Sequence, residues 1–429
     1  MIKLLQNLKG DKGIWSFVAL LAIFSFLPVY SASSNLAYLR HGTGNTFVYL
    51  LKHFIHVLAG FCIMYQIQKV PYQYFRSISR IILPLTWIFL VYTLFKGTII
   101  DGANASRWIQ VPFIGITFQP SAIASMGLLL FVARYLSKTS LEDMTLQKSA
   151  LELWLPVFFT LMLILPANFS TAALIFSMVL MLTFIGKYPV KNLAIIIGIG
   201  IASFIFFILI VKAFPNAFPN RVDTWMSRIE NFTSYKPGEE DYQIGIAKTA
   251  IATGGVYGLG PGKSIQKNFL PQSSSDFIFA IIIEEFGLLG GFFVIFLYVM
   301  LFIRFVIASY KAPSLFGKLI VVALGFPIIF QAFINMGVAV ELLPTTGQTL
   351  PLISSGGTSI WLTCAAIGII INVTKKEEEL IEENKDKKLR EDALQKLIDK
   401  QLVEEQLIEA ENYSIDDKSV NPMNAVLNK

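Results

Sequence analysis

Cysteine, histidine and charge are all scarce in this chain of 429 residues, and each shortage closes off a class of function. The 2 cysteines, Cys62 and Cys364, fall inside long apolar runs, which excludes a disulfide framework and a thiolate metal site. The 3 histidines, His41, His53 and His56, cluster around one such run with no Cys or carboxylate group beside them, so they do not make a zinc site. Only 15% of residues are charged, against 54% hydrophobic residues and 36 Phe, more apolar content than a soluble core of this length requires.

Apolar length is what the chain has in abundance. Runs long enough to span about 30 Å of hydrocarbon lie near 14–32, 46–66, 78–96, 119–136, 149–166, 170–186, 190–214, 276–303, 316–342 and 358–373. The expected fold is an all-α polytopic membrane protein of about ten transmembrane helices. Lys and Arg in short connections resist translocation, and one side of the predicted topology holds most of them, from Lys3 and Lys9 through Arg76, Arg134, Lys187 and Arg304 to Lys375. The short loops opposite hold only Arg40, Lys96 and Arg107. Both termini are therefore expected in the cytoplasm, with 215–275 as a large outward loop between the seventh and eighth helices. The first run follows a basic start and ends near Ser31-Ala32-Ser33, like a signal peptide, but its length favours an uncleaved span. The net charge of +6 is explained by the cytoplasmic connections, so nucleic-acid binding is not inferred from it. Three regions result: a cytoplasmic N-terminus at 1–13, a membrane domain at 14–373, and a charged cytoplasmic tail at 374–429. The tail is expected to be helical, with a stripe at Leu394, Leu397, Ile398, Leu402 and Ile408, and disordered from 413 onward.

Most of the side chains able to do chemistry lie in three outward segments, 97–118, 215–275 and 343–357. In the second, a Pro and small polar residues precede a single carboxylate, Asp276, at the start of a long apolar helix. A carboxylate at that boundary can take a proton from a sugar hydroxyl on a lipid-borne substrate, or it can merely cap the helix. Arg107, Lys263, Lys267, Arg221 and Arg228 are outward cations that either snorkel or gather round an anionic headgroup such as a pyrophosphate. Glu284 and Glu285 fall two turns into the apolar helix, where at least one needs a cavity or a cation. On a continuous helix, Glu284 would lie about 80° round from Asp276 and about 12 Å deeper. The run from Gly258 to Ser264 has P-loop ingredients without P-loop spacing, because the required Gly position is Tyr257. The segment at 341–359 is too polar for a helix and too apolar for a solvated linker, so it is expected to re-enter a cavity. His53 and His56, one turn apart, read better as a packed polar pair between helices than as a proton relay.

Taken in order, several motifs resemble the SEDS family (shape, elongation, division and sporulation), of the FtsW and RodA type, over most of 14–373. They are Ala105-Ser106-Arg107-Trp108-Ile109, Gln119-Pro120-Ser121, Gly254 to Gly260, Gln266-Lys267, Phe269-Leu270-Pro271, Ser275 to Ala280, Glu284-Glu285-Phe286-Gly287, Leu343 to Gly347 and Leu350 to Gly357. Two departures stand out. Ala122 and Ser125 replace a Glu and Lys one turn apart, and Ala167-Asn168-Phe169-Ser170-Thr171 replaces a common Pro-Asp-Leu-Gly-Thr.

The resemblance implies a peptidoglycan glycosyltransferase that polymerises lipid II with inversion at the outer face of the bacterial cytoplasmic membrane, in cell division and at the septum. Asp276 aligns with the family's essential Asp. Arg107, Trp108, Gln119, Lys267, Ser354 and Ser355 are expected to bind lipid II and its pyrophosphate, supported by Glu284 and Glu285. No cofactor is certain and no metal ligands are assigned, although a divalent cation such as Mg or Mn could share the leaving-group charge. The implied partners are a class B penicillin-binding protein and divisome membrane proteins. Three alternatives stand beside this reading: a RodA-type elongation polymerase, a lipid-linked precursor transporter (flippase), and a non-catalytic divisome scaffold.

Overall fold

The structure, a computed structural model, describes residues 8–41, 46–96, 108–110, 117–139, 144–213, 239–270 and 272–375, and in the tail 385, 388–402 and 405. The chain forms two compact units, Met1–Thr374 and Lys375–Lys429. In the first, the helices are α1 (Lys12–His41), α2 (Phe47–Ile67), α3 (Tyr74–Lys96), α4 (Pro120–Lys138), α5 (Leu146–Ser149), α6 (Leu155–Ile164), α7 (Phe169–Ile185), α8 (Val190–Ala213), α9 (Glu239–Gly254), α10 (Ile278–Lys311), α11 (Leu315–Ala339) and α12 (Thr358–Val373). A π-helical turn, Ala150–Trp154, joins α5 to α6 ahead of Pro156, which has no N–H to keep an unbroken α-helical ladder. A two-residue hairpin pairs β1 (Ile109–Gln110) with β2 (Thr117–Phe118).

Among the described residues seven helical segments are long and apolar enough to cross a membrane, counting α5 to α6 as one, and three shorter apolar helices, Phe169–Ile185, Val190–Phe206 and Thr358–Val373, fall on the remaining predicted spans. Lipid offers backbone groups no partners, so spanning segments satisfy their own hydrogen bonds as helices. Small residues let these helices close on one another. A Cβ on Gly60 of α2 would lie 2.9 Å from Cys364 Sγ of α12, and one on Gly127 of α4 would lie 2.8 Å from Ile82 of α3.

One end of the bundle is sealed by polar side chains from distant parts of the chain. Asp11 Oδ1 accepts from Gly13 N and Ile14 N, capping α1, and Asp11 N donates to Thr374 Oγ1 after α12. Asn372 bridges the α2–α3 turn, accepting from Tyr72 N at 2.9 Å and donating to Gln68 O at 2.6 Å. At the other end the irregular segments gather, and there the structure departs from expectation. The predicted helix at 276–303 is not continuous: Gly287 (φ 68°, ψ −172°) divides α10 into two pieces. In the tail, residues 388–402 are helical and the side chains of Leu394, Leu397, Ile398 and Leu402 are exposed, while Ile408 and everything from 413 lie outside the described residues.

Candidate active site

Asp276 sits in a tight turn just before α10. Ser275 N and Asp276 N both donate to Gln272 O, and Gln272 turns the chain with a φ of 57°. The N-cap of α10 is Phe277, so Asp276 does not occupy the capping position. Its side chain is half-buried. The turn is gripped through its backbone from three directions. Asn335 Nδ2 of α11 donates to Asp276 O at 2.7 Å, Ser354 Oγ donates to Ser275 O at 2.6 Å, and Ser355 N donates to Ser274 O at 2.9 Å. From α1, Ala32 O accepts from Ser273 Oγ at 3.3 Å. These bonds hold the loop through the backbone carbonyls of Ser274, Ser275 and Asp276 and through the Ser273 hydroxyl.

The 341–357 segment supplies two of those grips and is held in turn by the bundle. Asn335 Nδ2 also donates to Gln348 O, Gln331 Nε2 donates to Thr349 O, and Tyr298 OH donates to Pro351 O. Gln348 Nε2 reaches Thr171 Oγ1 of α7 at 2.9 Å. Leu350, Leu352, Ile353 and Ser354 are buried. This is the expected behaviour of irregular backbone within a membrane protein, whose polar groups must find protein partners. Ser354 is spent on support: its hydroxyl accepts from Leu350 N and donates to Ser275 O at 2% exposure, which leaves no surface for a substrate contact. The Ser355 side chain is exposed.

Gln119 is half-buried between β2 and α4. The β1–β2 register pairs Ile109 with Phe118, and one further step places Trp108 opposite Gln119. Thr358 Oγ1 donates to Thr117 O, joining this hairpin to the segment that holds the Asp276 loop. Arg107, Arg221 and Arg228 lie outside the described residues. Asn168 caps α7, with its Oδ1 accepting from Thr171 N, so the loss of a carboxylate at this position keeps the helix cap.

Glu284 and Glu285 are both withdrawn from solvent at the end of the first piece of α10. The angle and depth expected on a continuous helix do not apply, since the helix starts at Ile278 and breaks at Gly287. Glu284 accepts from Ser264 Oγ, Ile265 N and Gln266 N, the last two at 2.9 and 3.2 Å. Glu285 Oε1 accepts from Ser31 Oγ and from Ser264 N. Lys267 Nζ donates to Ser31 Oγ at 3.0 Å and to Gly262 O at 2.8 Å. The glycine-rich run therefore cradles no phosphate, because Leu259 N and Gly260 N donate to Glu284 O and Glu285 O. Among the described residues no three metal-ligating side chains gather, and the two glutamates are engaged by N–H and O–H donors. Held by these donors, Glu284 and Glu285 do not fit a divalent cation. His53 pairs with Ser25 of α1 at 2.7 Å, and Trp361 Nε1 donates to His56 O, as a packed interhelical arrangement requires.

Asn335, Ser31 and Ser264 are absent from the sequence-based site. Removing the Asn335 amide strands two carbonyls, each costing about 1–3 kcal/mol. Asn335→Ala is expected to lower turnover about 10- to 100-fold through misplacement of Asp276, read as initial rate against Tm.

An apolar helical bundle whose irregular outer segments converge on one half-buried aspartate defines a polytopic membrane protein with a polar site at one end. The chain belongs to the FtsW/RodA/SpoVE family, described as "Cell cycle protein", which matches residues 11–379. It is 30% identical to a Nitrosomonas europaea protein named "Probable peptidoglycan glycosyltransferase FtsW", over 83% of this chain and 91% of that one. It is 29% identical to "Stage V sporulation protein E" of Bacillus subtilis, over 83% and 94%. Among solved structures the fold matches Thermus thermophilus RodA with a TM-score of 0.61 at 22% identity, covering 86% of this chain and 98% of that one. It also matches a chain from a peptidoglycan synthase complex that coordinates polymerization and crosslinking, with a TM-score of 0.66 at 23% identity, covering 85% and 97%.

Proposed function

We propose that the chain is a peptidoglycan glycosyltransferase that polymerises lipid II during cell division, at the outer face of the bacterial cytoplasmic membrane and at the septum. The observation that carries this reading is the placement of Asp276, half-buried on a turn clamped through its backbone by Asn335 and Ser354, one residue ahead of the N-cap of α10. Asp276 takes the proton from the GlcNAc 4-hydroxyl of one lipid II. That oxygen forms a bond to C1 of the other sugar chain, the C1–O bond to pyrophosphate breaks with inversion, and undecaprenyl pyrophosphate leaves. Lys267 and Arg107 offset the charge that develops on the leaving group. Trp108, Gln119 and Ser355 line the approach, and Ser354 is a positioning residue for the Asp276 loop. The division role is supported by the names of several relatives. A class B penicillin-binding protein is the partner that would crosslink the strands, and divisome membrane proteins would recruit the pair.

The test is incubation of the purified protein, with a class B penicillin-binding protein, with labelled lipid II in vesicles. Glycan polymer is the expected product. Movement of lipid II across the bilayer without polymer would replace this reading with a transporter, and neither outcome would leave a scaffold. Septal rather than side-wall localisation of a fluorescent fusion separates the division role from elongation.

A further inference from the structure

We propose that Ser31 and Glu285 are positioning residues that hold the Lys267 ammonium in place for the diphosphate of the substrate, an inference that rests on the reading of Lys267 given above. The two adjacent glutamates are treated differently. Glu284 has both oxygens engaged, one by a hydroxyl and one by two backbone amides at the start of the 3-10 turn Gln266–Asn268, and this fixes the loop. Glu285 has two donors on Oε1, whereas its Oε2 is buried with no hydrogen-bond partner. A carboxylate removed from water with half of its acceptor capacity unused is poor value as a brace.

What Glu285 does have is a line to a cation. The Ser31 hydroxyl has one proton to donate and gives it to Glu285, so its lone pair is turned toward Lys267 Nζ. Ammonium, hydroxyl and carboxylate form a chain polarised in one direction, in which each bond strengthens the next. Lysine is a flexible side chain that loses rotamer freedom when it binds an anion. Here that freedom is reduced beforehand, with the Ser31 hydroxyl bonded to both the ammonium and the carboxylate. The next residue of α1, Ala32, accepts from Ser273 in the Asp276 loop, so residues 31 and 32 register the cation and the base against one helix.

The experiment is a double-mutant cycle on the full-length protein, measuring kcat and KM for lipid II together with Tm. Lys267→Met is expected to raise KM about tenfold or more and to lower kcat, and Ser31→Ala to move both in the same directions by a smaller, several-fold amount. Ser31→Thr, which keeps the hydroxyl, restores the wild-type KM. Glu285→Gln raises KM in the same direction as Ser31→Ala. The variant carrying both Lys267→Met and Ser31→Ala should be no worse than Lys267→Met alone, since Ser31 acts through the lysine. Additive effects in that double variant, with Lys267→Met alone raising KM, would overturn the positioning role and leave the diphosphate assignment standing. A Ser31→Ala that lowers Tm and kcat at unchanged KM would make Ser31 a structural brace and overturn the proposal. No change of KM in Lys267→Met would sink the diphosphate assignment and this proposal with it.

Discussion

Asp276→Asn is expected to lower the initial rate of lipid II polymerisation by about 10²- to 10⁴-fold while leaving lipid II binding near the wild-type level. The amide matches the carboxylate in shape but cannot take up the proton of an attacking hydroxyl. The loop itself should survive the exchange, because Asn335, Ser354 and Ser355 hold it by backbone carbonyls. The comparison also separates catalysis from capping. Asn is as good an N-cap as Asp, so a residue that served only to start a helix would tolerate the change with little loss. Asp276→Glu keeps a base but moves it by one methylene, and a displacement of about 1 Å is worth about 10²-fold. A wild-type rate in the Asn variant would remove Asp276 from the chemistry.

The apolar helices and Asp276 are legible in the sequence for the same reason: lipid demands uninterrupted apolar length, so any carboxylate at its edge is conspicuous. The break at Gly287 is not. A hydropathy window reads Ile278 through Lys311 as one span, and a Gly inside a helix costs only about 1 kcal/mol relative to Ala, which leaves no signal. The pair Glu284-Glu285 followed by a Gly could have pointed to it, since two buried carboxylates need donors that a straight helix in lipid does not meet. Asn335 and Ser31 are illegible for another reason. Each is one polar residue among several in its span, and its partners lie 59 residues away for Asn335 and Asp276, and 254 for Ser31 and Glu285. The two changes at 122 and 125 show the opposite case: the loss of a Glu and Lys together removes no buried partner, and Ala122 N still donates to Gln119 O to start α4.

Gly287→Ala is expected to destabilise the protein by roughly 3 kcal/mol or more and to abolish polymerisation, with the loss of fold measured as Tm and as monodisperse protein recovered in detergent. Two costs add. The backbone conformation at Gly287 is one that residues with a side chain hardly adopt, at about 1–3 kcal/mol. A Cβ there would also lie 2.1 Å from Val256 O, a backbone atom that cannot swing aside. The contact is close because two segments trade backbone hydrogen bonds at this point: Leu259 N to Glu284 O, Gly260 N to Glu285 O, Leu288 N to Gly255 O and Leu289 N to Val256 O. Gly254 and Gly258 press equally hard from the other side, with Cβ positions 2.1 Å from Ile283 O and 2.2 Å from Glu285 O. Gly255 is the control in the same run. It also has a positive φ, but a Cβ there meets nothing within 4 Å, so Gly255→Asn should cost only about 1 kcal/mol or less. A wild-type Tm and rate in Gly287→Ala would show that neither the backbone conformation at Gly287 nor its close approach to Val256 is needed for the fold. The clasp of glycine backbones thus ties the 254–260 segment to α10, which begins directly after the Asp276 turn.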